Sequence, residues 1–197
     1  MKKFYVVLIS VFLSMAFVQA ASAYSVILED VTGSPAQMSL EITGDGTKEV
    51  TIDVNLVDTI ADIRGIFFDL SSPFPNNLDI RGNDVTKWGI NTNKLRGGNN
   101  VRSLDRFDVG VEIGSAGIGK DDIQTTSFKL FSSEVINLDG SFAARLTSVG
   151  KRRWGSSKLA GKIVPPAYIV PEPTTILLLG VGLLGLAGLR KKKNKKK

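Results

Sequence analysis

The sequence predicts an all-β domain of the β-sandwich or jelly-roll type, and three observations support this fold class. In residues 48–57, KEVTIDVNLV, the apolar Val50, Ile52, Val54 and Leu56 alternate with polar residues, which is the period of a strand with one buried face. Turn residues separate several stretches of this kind at short intervals. No stretch of the central region repeats apolar residues with helical spacing over three turns, so seven to nine short strands are expected.

The first elements are predicted as a hairpin followed by a more buried strand. Residues 36–43 alternate like residues 48–57, and the turn Gly44–Gly46 lies between them, which predicts a β-hairpin. The next stretch, residues 63–70, is almost continuously apolar. It indicates a strand buried on both faces or a strand with a bulge at Gly65.

The rest of the domain predicts loops first and strands afterwards. Prolines and asparagines make residues 71–77 a turn cluster, and residues 78–104 are expected to form a Gly- and Asn-rich loop. Three further strands are predicted by alternation: residues 106–113, 125–131 and 141–149.

The N-terminus has the pattern of a Sec-type signal peptide. Lys2 and Lys3 precede an apolar stretch, residues 4–18, and Ala21 and Ala23 provide the small side chains that signal peptidase recognises. Residues 1–23 are therefore predicted to be a signal peptide that meets the Sec translocon and is cleaved after Ala23. A permanent N-terminal anchor is the alternative, and in both cases the following residues are exported.

Charge and cysteine content exclude several classes of protein. The formal net charge is +6, but residues 24–170 hold 16 Lys and Arg against 18 Asp and Glu, a net charge of −2. Nucleic-acid binding is not expected, because it needs a basic face on the folded domain. The chain has no cysteine, so the domain depends on a hydrophobic core without disulfides.

The absence of histidine and cysteine also excludes Ser-His-Asp and Cys-His catalysis and the usual zinc and copper sites. Carboxylates are the remaining catalytic groups, and no acid stands out in an apolar setting. The sequence therefore predicts a protein that is not an enzyme. The rival interpretation is a hydrolase with two carboxylates across a cleft.

Two short stretches are candidate binding sites. Asp121 and Asp122 offer oxygen ligands to calcium without EF-hand spacing, and a solvated turn is the alternative interpretation. Arg152, Arg153 and Trp154 combine cations with an aromatic ring, which suits acidic polysaccharide or anionic lipid. The alternative is an ordinary exposed turn. Apart from calcium, no cofactor is expected.

The C-terminal region divides into three parts. Residues 162–173 contain four prolines, two of them in a final Pro-Glu-Pro, Pro171–Pro173, and are expected to be an extended stalk. Residues 174–189 are uncharged and span about 24 Å as a helix, which predicts a short transmembrane helix. Residues 190–197 carry seven positive charges, so they are expected to stay cytoplasmic while the domain lies outside.

This order of parts resembles the PEP-CTERM sorting signal, in which Pro171, Glu172 and Pro173 form the motif. The resemblance implies that the chain is a substrate of an exosortase, a membrane-embedded transpeptidase-like enzyme of Gram-negative bacteria that typically make exopolysaccharide. It implies an inner-membrane anchor with the β domain, residues 24–161, outside the cytoplasm, followed by cleavage and transfer to the envelope or extracellular matrix. The alternative function is a permanently anchored carbohydrate- or calcium-binding β-sandwich module.

Overall fold

A computed structural model describes residues 22–96, 99–115 and 121–163, which lie in one compact unit, Ala21–Val164. These residues form ten antiparallel strands and contain no helix, so the all-β prediction is confirmed. The strands are β1 Ser22–Asp30, β2 Gln37–Asp45, β3 Thr47–Val57, β4 Asp62–Leu70, β5 Asp79–Arg81, β6 Val85–Thr92, β7 Phe107–Ile113, β8 Thr125–Ile136, β9 Leu138–Val149 and β10 Gly155–Lys162.

The ten strands form one sheet that folds over on itself. Their order is β5-β8-β3-β2-β1-β10-β9-β4-β7-β6, and β1 meets β10 at only two registered pairs, Glu29 with Ala160 and Asp30 with Leu159. The sheet bends at this short junction, so that half A (β5-β8-β3-β2-β1) packs against half B (β10-β9-β4-β7-β6). Phe68 of β4 stacks on Phe128 of β8 with ring centroids 6.5 Å apart, which makes the two halves the layers of a sandwich.

The alternating residues of β2 and β3 fill the core between the layers. Val50, Ile52 and Val54 have no exposed surface, as the period of two predicts. Leu56 is only partly buried, although it packs against the same core, because it lies near the end of its strand. The predicted hairpin is confirmed, since β2 and β3 are registered neighbours.

Strand β4 combines both features that its apolar sequence predicted. Its pairing with β9 shifts between Ile63 and Gly65, so the expected irregularity at the glycine is present. The strand is also buried on both faces. Phe68 points into the main core, whereas Phe67 belongs to a second cluster on the outer face of half B.

The prediction of a loop over residues 78–104 was wrong in its first part, which contains β5 and β6. Among the described strands, β6 lies at the edge of half B and pairs only with β7. Its side chains are half-buried or exposed, so no apolar alternation marks it in the sequence. Strand β10 was also missed, because only Ser157 and Leu159 are buried there.

Residues 93–96 and 99–106, called here the covering segment, pack on the outer face of half B. Leu95 and Val101 are buried against Phe67, together with Phe107 and Ala143. The Nδ2 group of the buried Asn99 donates to the carbonyl of Arg64 on β4. The covering segment thereby gives half B a second apolar layer that half A does not share.

The chain enters and leaves the sandwich at the same end. Strands β1 and β10 are antiparallel neighbours, so β1 begins and β10 ends towards the same end of the sandwich. The opposite end, called here the tip, carries the connections 31–36, 58–61 and 150–154 and residues 121–124. The candidate residues of the β9–β10 turn, Arg152, Arg153 and Trp154, therefore lie at the tip.

Candidate functional site

The turn between β9 and β10 is fixed by its backbone. Gly150 and Arg153 have positive φ angles of 83° and 59°, and the Arg153 amide donates to the Gly150 carbonyl at 2.8 Å. The Gly150 amide in turn donates to the carbonyl of Ile60 at 2.8 Å. The turn that carries Trp154 is thus closed on itself and attached to the neighbouring connection 58–61.

An ion pair adds a further constraint and joins the two candidate sites of the sequence. The guanidinium of Arg153 contacts the carboxylate of Asp122, and Asp122 itself has a φ of 50°. A predicted polysaccharide contact is therefore paired with a predicted calcium ligand. This pairing spans 31 residues of sequence, and no local pattern indicates it.

Asp121 also faces a cation. Its Oδ1 lies 3.7 Å from Nη1 of Arg64, whose side chain is 4% exposed, and its Oδ2 accepts a hydrogen bond from the Ser115 amide. Each predicted calcium ligand thus contacts an arginine in this structure. Within the described ranges, no group of three or more His, Cys, Asp or Glu side chains is placed to hold a metal ion.

Trp154 is displayed to solvent at the tip. Its side chain is 87% exposed, which is unusual for so large an apolar group. Val31 and Ile60, on two other tip connections, are 51% and 43% exposed. With the exposed Lys151 and Arg152 of the same turn, these side chains form what is called here the tip patch, a surface that combines apolar contact area with positive charge.

The carboxylate of Asp30 fixes the connection 31–36, which carries Val31, through several hydrogen bonds. Its carboxylate accepts bonds from the Thr32 amide at 3.2 Å, the Thr32 hydroxyl at 2.9 Å and the Gly33 amide at 2.5 Å, and also from Ser157 on β10. Burial alone would raise the pKa of Asp30, but these hydrogen bonds lower it below its ordinary value. The carboxylate form therefore stabilises this side of the tip.

Asp62 lies beneath the tip with no exposed surface. Its oxygens accept bonds from the Ile123 amide at 3.1 Å and the Thr147 hydroxyl at 3.4 Å. Burial raises the pKa of this carboxyl, and the nearby Asp121 adds to the effect. Through these two bonds, Asp62 on β4 joins Ile123 to Thr147 of β9.

Near the N-terminus, the structure describes one of the two predicted recognition residues. Ala23 is exposed and pairs with Thr43 in the β1–β2 ladder, whereas Ala21 lies outside the described residues. Tyr24, the predicted first residue after cleavage, donates its hydroxyl to Asp45 at 2.9 Å. Burial, together with Asp45, raises the pKa of the tyrosine hydroxyl. Cleavage after Ala23 stays a prediction.

The sorting motif Pro171, Glu172 and Pro173, the predicted transmembrane helix 174–189 and the basic residues 190–197 lie outside the described residues. In the part of the chain that is described, no helix is long and apolar enough to cross a membrane.

Comparison with known proteins assigns the C-terminal region. A family model described as a PEP-CTERM protein-sorting motif matches residues 170–193. The match contains the Pro-Glu-Pro sequence, the apolar stretch and the first basic residues. No curated protein and no solved structure matches the chain. The chain therefore carries a PEP-CTERM protein-sorting motif at residues 170–193, C-terminal to its all-β domain.

Proposed function

We propose that this chain is a non-enzymatic protein of the cell envelope or extracellular matrix, that an exosortase cleaves it near Pro171–Pro173, and that its β domain binds exopolysaccharide through the tip patch. The observation that carries the proposal is the family match over residues 170–193. Sorting by such a motif presupposes export, which the N-terminal pattern of residues 1–23 independently predicts.

The sequence around the motif suits proteolytic processing. Proline at positions 171 and 173 favours an extended chain in the sequence, and a protease binds its substrate in an extended form. The apolar stretch that follows contains Gly180, Gly182, Gly185 and Gly188. Each glycine costs about 1 kcal/mol of helix propensity relative to alanine, so local unwinding within an enzyme is easier than in a leucine-rich anchor.

The geometry of the tip supports polysaccharide binding. Trp154 offers an aromatic face at low entropic cost, because the ion pair of Arg153 with Asp122 and the hydrogen bonds of Gly150 already fix its turn. The exposed Arg152 adjoins it and adds positive charge for acidic sugar units. An aromatic ring with cations around it is the surface that an acidic polysaccharide fits.

Sorting is tested by replacing Glu172 with alanine in the full chain. Membrane insertion should persist, because the apolar stretch and the basic residues are unchanged, and the protein should accumulate in the inner membrane at full length. Replacing the lysines of residues 191–197 with serine should instead release the uncleaved chain. Cell fractionation and mass spectrometry of the C-terminus measure both results. If the Glu172 variant leaves the membrane at wild-type mass and yield, the motif has no role in sorting.

Polysaccharide binding is tested by affinity electrophoresis of the exported protein in gels that contain an acidic polysaccharide such as alginate. Trp154→Ala should weaken retention about tenfold, or ~1.4 kcal/mol, and Asp122→Ala should give a smaller loss because the turn is no longer fixed. The control is Ile90→Ala, which removes a 58% exposed side chain from the edge strand β6. Equal retention of the Trp154 and Ile90 variants contradicts the assignment of the tip patch.

The alternative of a permanently anchored module differs in one measurable property. Under that alternative, wild-type protein extracted from membranes ends at Lys197. Under the proposed function, the mature protein lacks the apolar stretch 174–189 and the basic residues 190–197. Mass spectrometry of the mature C-terminus separates the two.

A further inference from the structure

The outer face of half A is a polar, solvated sheet surface. In the central strands β2, β3 and β8, the residues that point away from the core are short polar or charged side chains that are half-buried or exposed. They form cross-strand rows in the registered sheet. These residues are Ser39, Glu41, Thr43, Thr51, Asp53, Asn55, Thr125, Ser127 and Lys129.

This surface carries negative charge without compensation. Glu41 and Asp53 are direct partners on β2 and β3, and like charges in this position destabilise a sheet by ~0.2–1 kcal/mol. Among the described residues, no Lys or Arg nitrogen forms an ion pair with either carboxylate. Lys129 is already paired with Glu49 at 2.6 Å. Glu41 and Asp53 are called here the acidic face.

The outer surface of half B has the opposite charge. The covering segment exposes Lys94, Arg96, Arg102 and Arg106 against one exposed acid, Asp105. Lys94, Arg96 and Arg102 have no ion-pair partner among the described residues. These three cations are called here the basic face.

The acidic face lies on the outer surface of half A and the basic face on the outer surface of half B, and no ion pair joins them within the described residues. We propose that the acidic face of one copy binds the basic face of the next copy. Contact between like faces would bring equal charges together, which excludes a two-fold symmetric dimer through either face. The contact is therefore heterologous, and it repeats to give an open, head-to-tail stack of domains.

A second copy of this chain is the occupant that the charges favour. It supplies a surface of opposite sign to each face at once. A single anionic polymer would match only the basic face and would leave Glu41 and Asp53 opposed. Because the contact is electrostatic and solvent-exposed, salt should weaken it, since the Debye length falls from about 30 Å at 0.01 M to about 3 Å at 1 M.

Charge reversal with rescue tests the proposal on the full chain in a non-ionic detergent. At about 0.01 M salt the sedimentation mass should rise with protein concentration, and at about 1 M it should fall to that of the monomer. Glu41→Lys with Asp53→Lys should abolish association, as should Arg96→Glu with Arg102→Glu. An equimolar mixture of the two double variants should associate again, because each then presents the charge that the other needs. Failure of the mixture to associate, or a monomeric wild type at low salt, overturns the proposal.

Disulfide trapping provides a second test that does not depend on charged substitutions. The chain has no cysteine, so cysteines can be placed singly on exposed Ser127 of the acidic face and Ser103 beside the basic face. After oxidation in the cell envelope, the double variant should give a ladder of multimers, and each single variant should stay monomeric. Dimers from either single variant would indicate contact between like faces and overturn the head-to-tail arrangement.

The same variants separate this proposal from polysaccharide binding at the tip. The double reversal of Arg96 and Arg102 should leave retention by alginate unchanged, since it does not touch Trp154. If that variant loses retention while the wild type remains monomeric, the basic face binds the polymer and not a second copy. If retention depends on Trp154 but association fails, only the stacking proposal is wrong.

Discussion

Replacing Val54 with aspartate should unfold the domain, and the structure allows the cost to be worked out. Val54 has no exposed surface and lies between Leu40 and Thr126 in the cross-strand register. Losing the buried valine costs ~1.5–3 kcal/mol, and an unpaired buried carboxylate adds several kcal/mol more. The sum exceeds ~5 kcal/mol, which is comparable with the whole stability of a domain of this size, about 5–15 kcal/mol.

The neighbouring position provides the matched control. Asp53 is half-buried on the outer face of the same strand, directly opposite Glu41. Asp53→Asn keeps the shape of the side chain and removes a like charge, so stability should change by less than about 0.5 kcal/mol or rise slightly. Val54→Ala should fall between the two, at ~2–3 kcal/mol. Urea unfolding followed by circular dichroism measures all three, and equal midpoints for Val54→Asp and Asp53→Asn would refute the assignment of inner and outer faces.

Three further predictions concern other parts of the chain. Ala23→Phe should block signal-peptide cleavage, and N-terminal sequencing of the wild type that still begins at Met1 would contradict the predicted site. Burial and the surrounding carboxylates, Asp139 included, raise the pKa of Asp69 in the folded protein. The folded protein therefore binds this proton more tightly than the unfolded chain does. Its free energy of unfolding falls as the pH rises through the folded pKa. Asp139→Asn should make this fall smaller in urea titrations between about pH 4 and 7. Gly65→Ala should destabilise by ~1–3 kcal/mol, because its Cβ would meet a side-chain oxygen of the covering segment at 2.5 Å, whereas Gly89→Ala meets nothing within 4 Å.

The sequence predicted the parts of the fold that depend on local periodicity. Strands β2 and β3 each bury one alternating face, and Gly65 marked the register shift in β4. Strand β6 was missed because an edge strand is half-solvated on both faces and has no apolar alternation. The packing of Leu95 and Val101 on Phe67 was missed as well, since a loop that covers a sheet has no period to detect.

The candidate functional residues likewise divide into those that a local sequence pattern identifies and those that depend on tertiary contacts. The motif over residues 170–193 is contiguous, so the sequence was sufficient to find it. Tertiary structure determines the high exposure of Trp154 and the pairing of Arg153 with Asp122, because both depend on residues far apart in sequence. That Arg153 is paired while Arg152 is exposed likewise depends on tertiary contacts. The sequence therefore identified the candidate residues at the tip but not their arrangement.

The first and last described residues, Ser22 and Ile163, lie towards the same end of the sandwich, so its long axis separates them from the tip. The Ile163 amide still bonds to the Gly140 carbonyl, at the end opposite the tip. A strand of nine residues extends about 30 Å, so Trp154 and Ile163 lie roughly that far apart along β10. A cut beyond Ile163 is therefore remote from the tip contacts. Under the proposed function, a polymer bound at the tip patch would stay bound when the chain is cleaved.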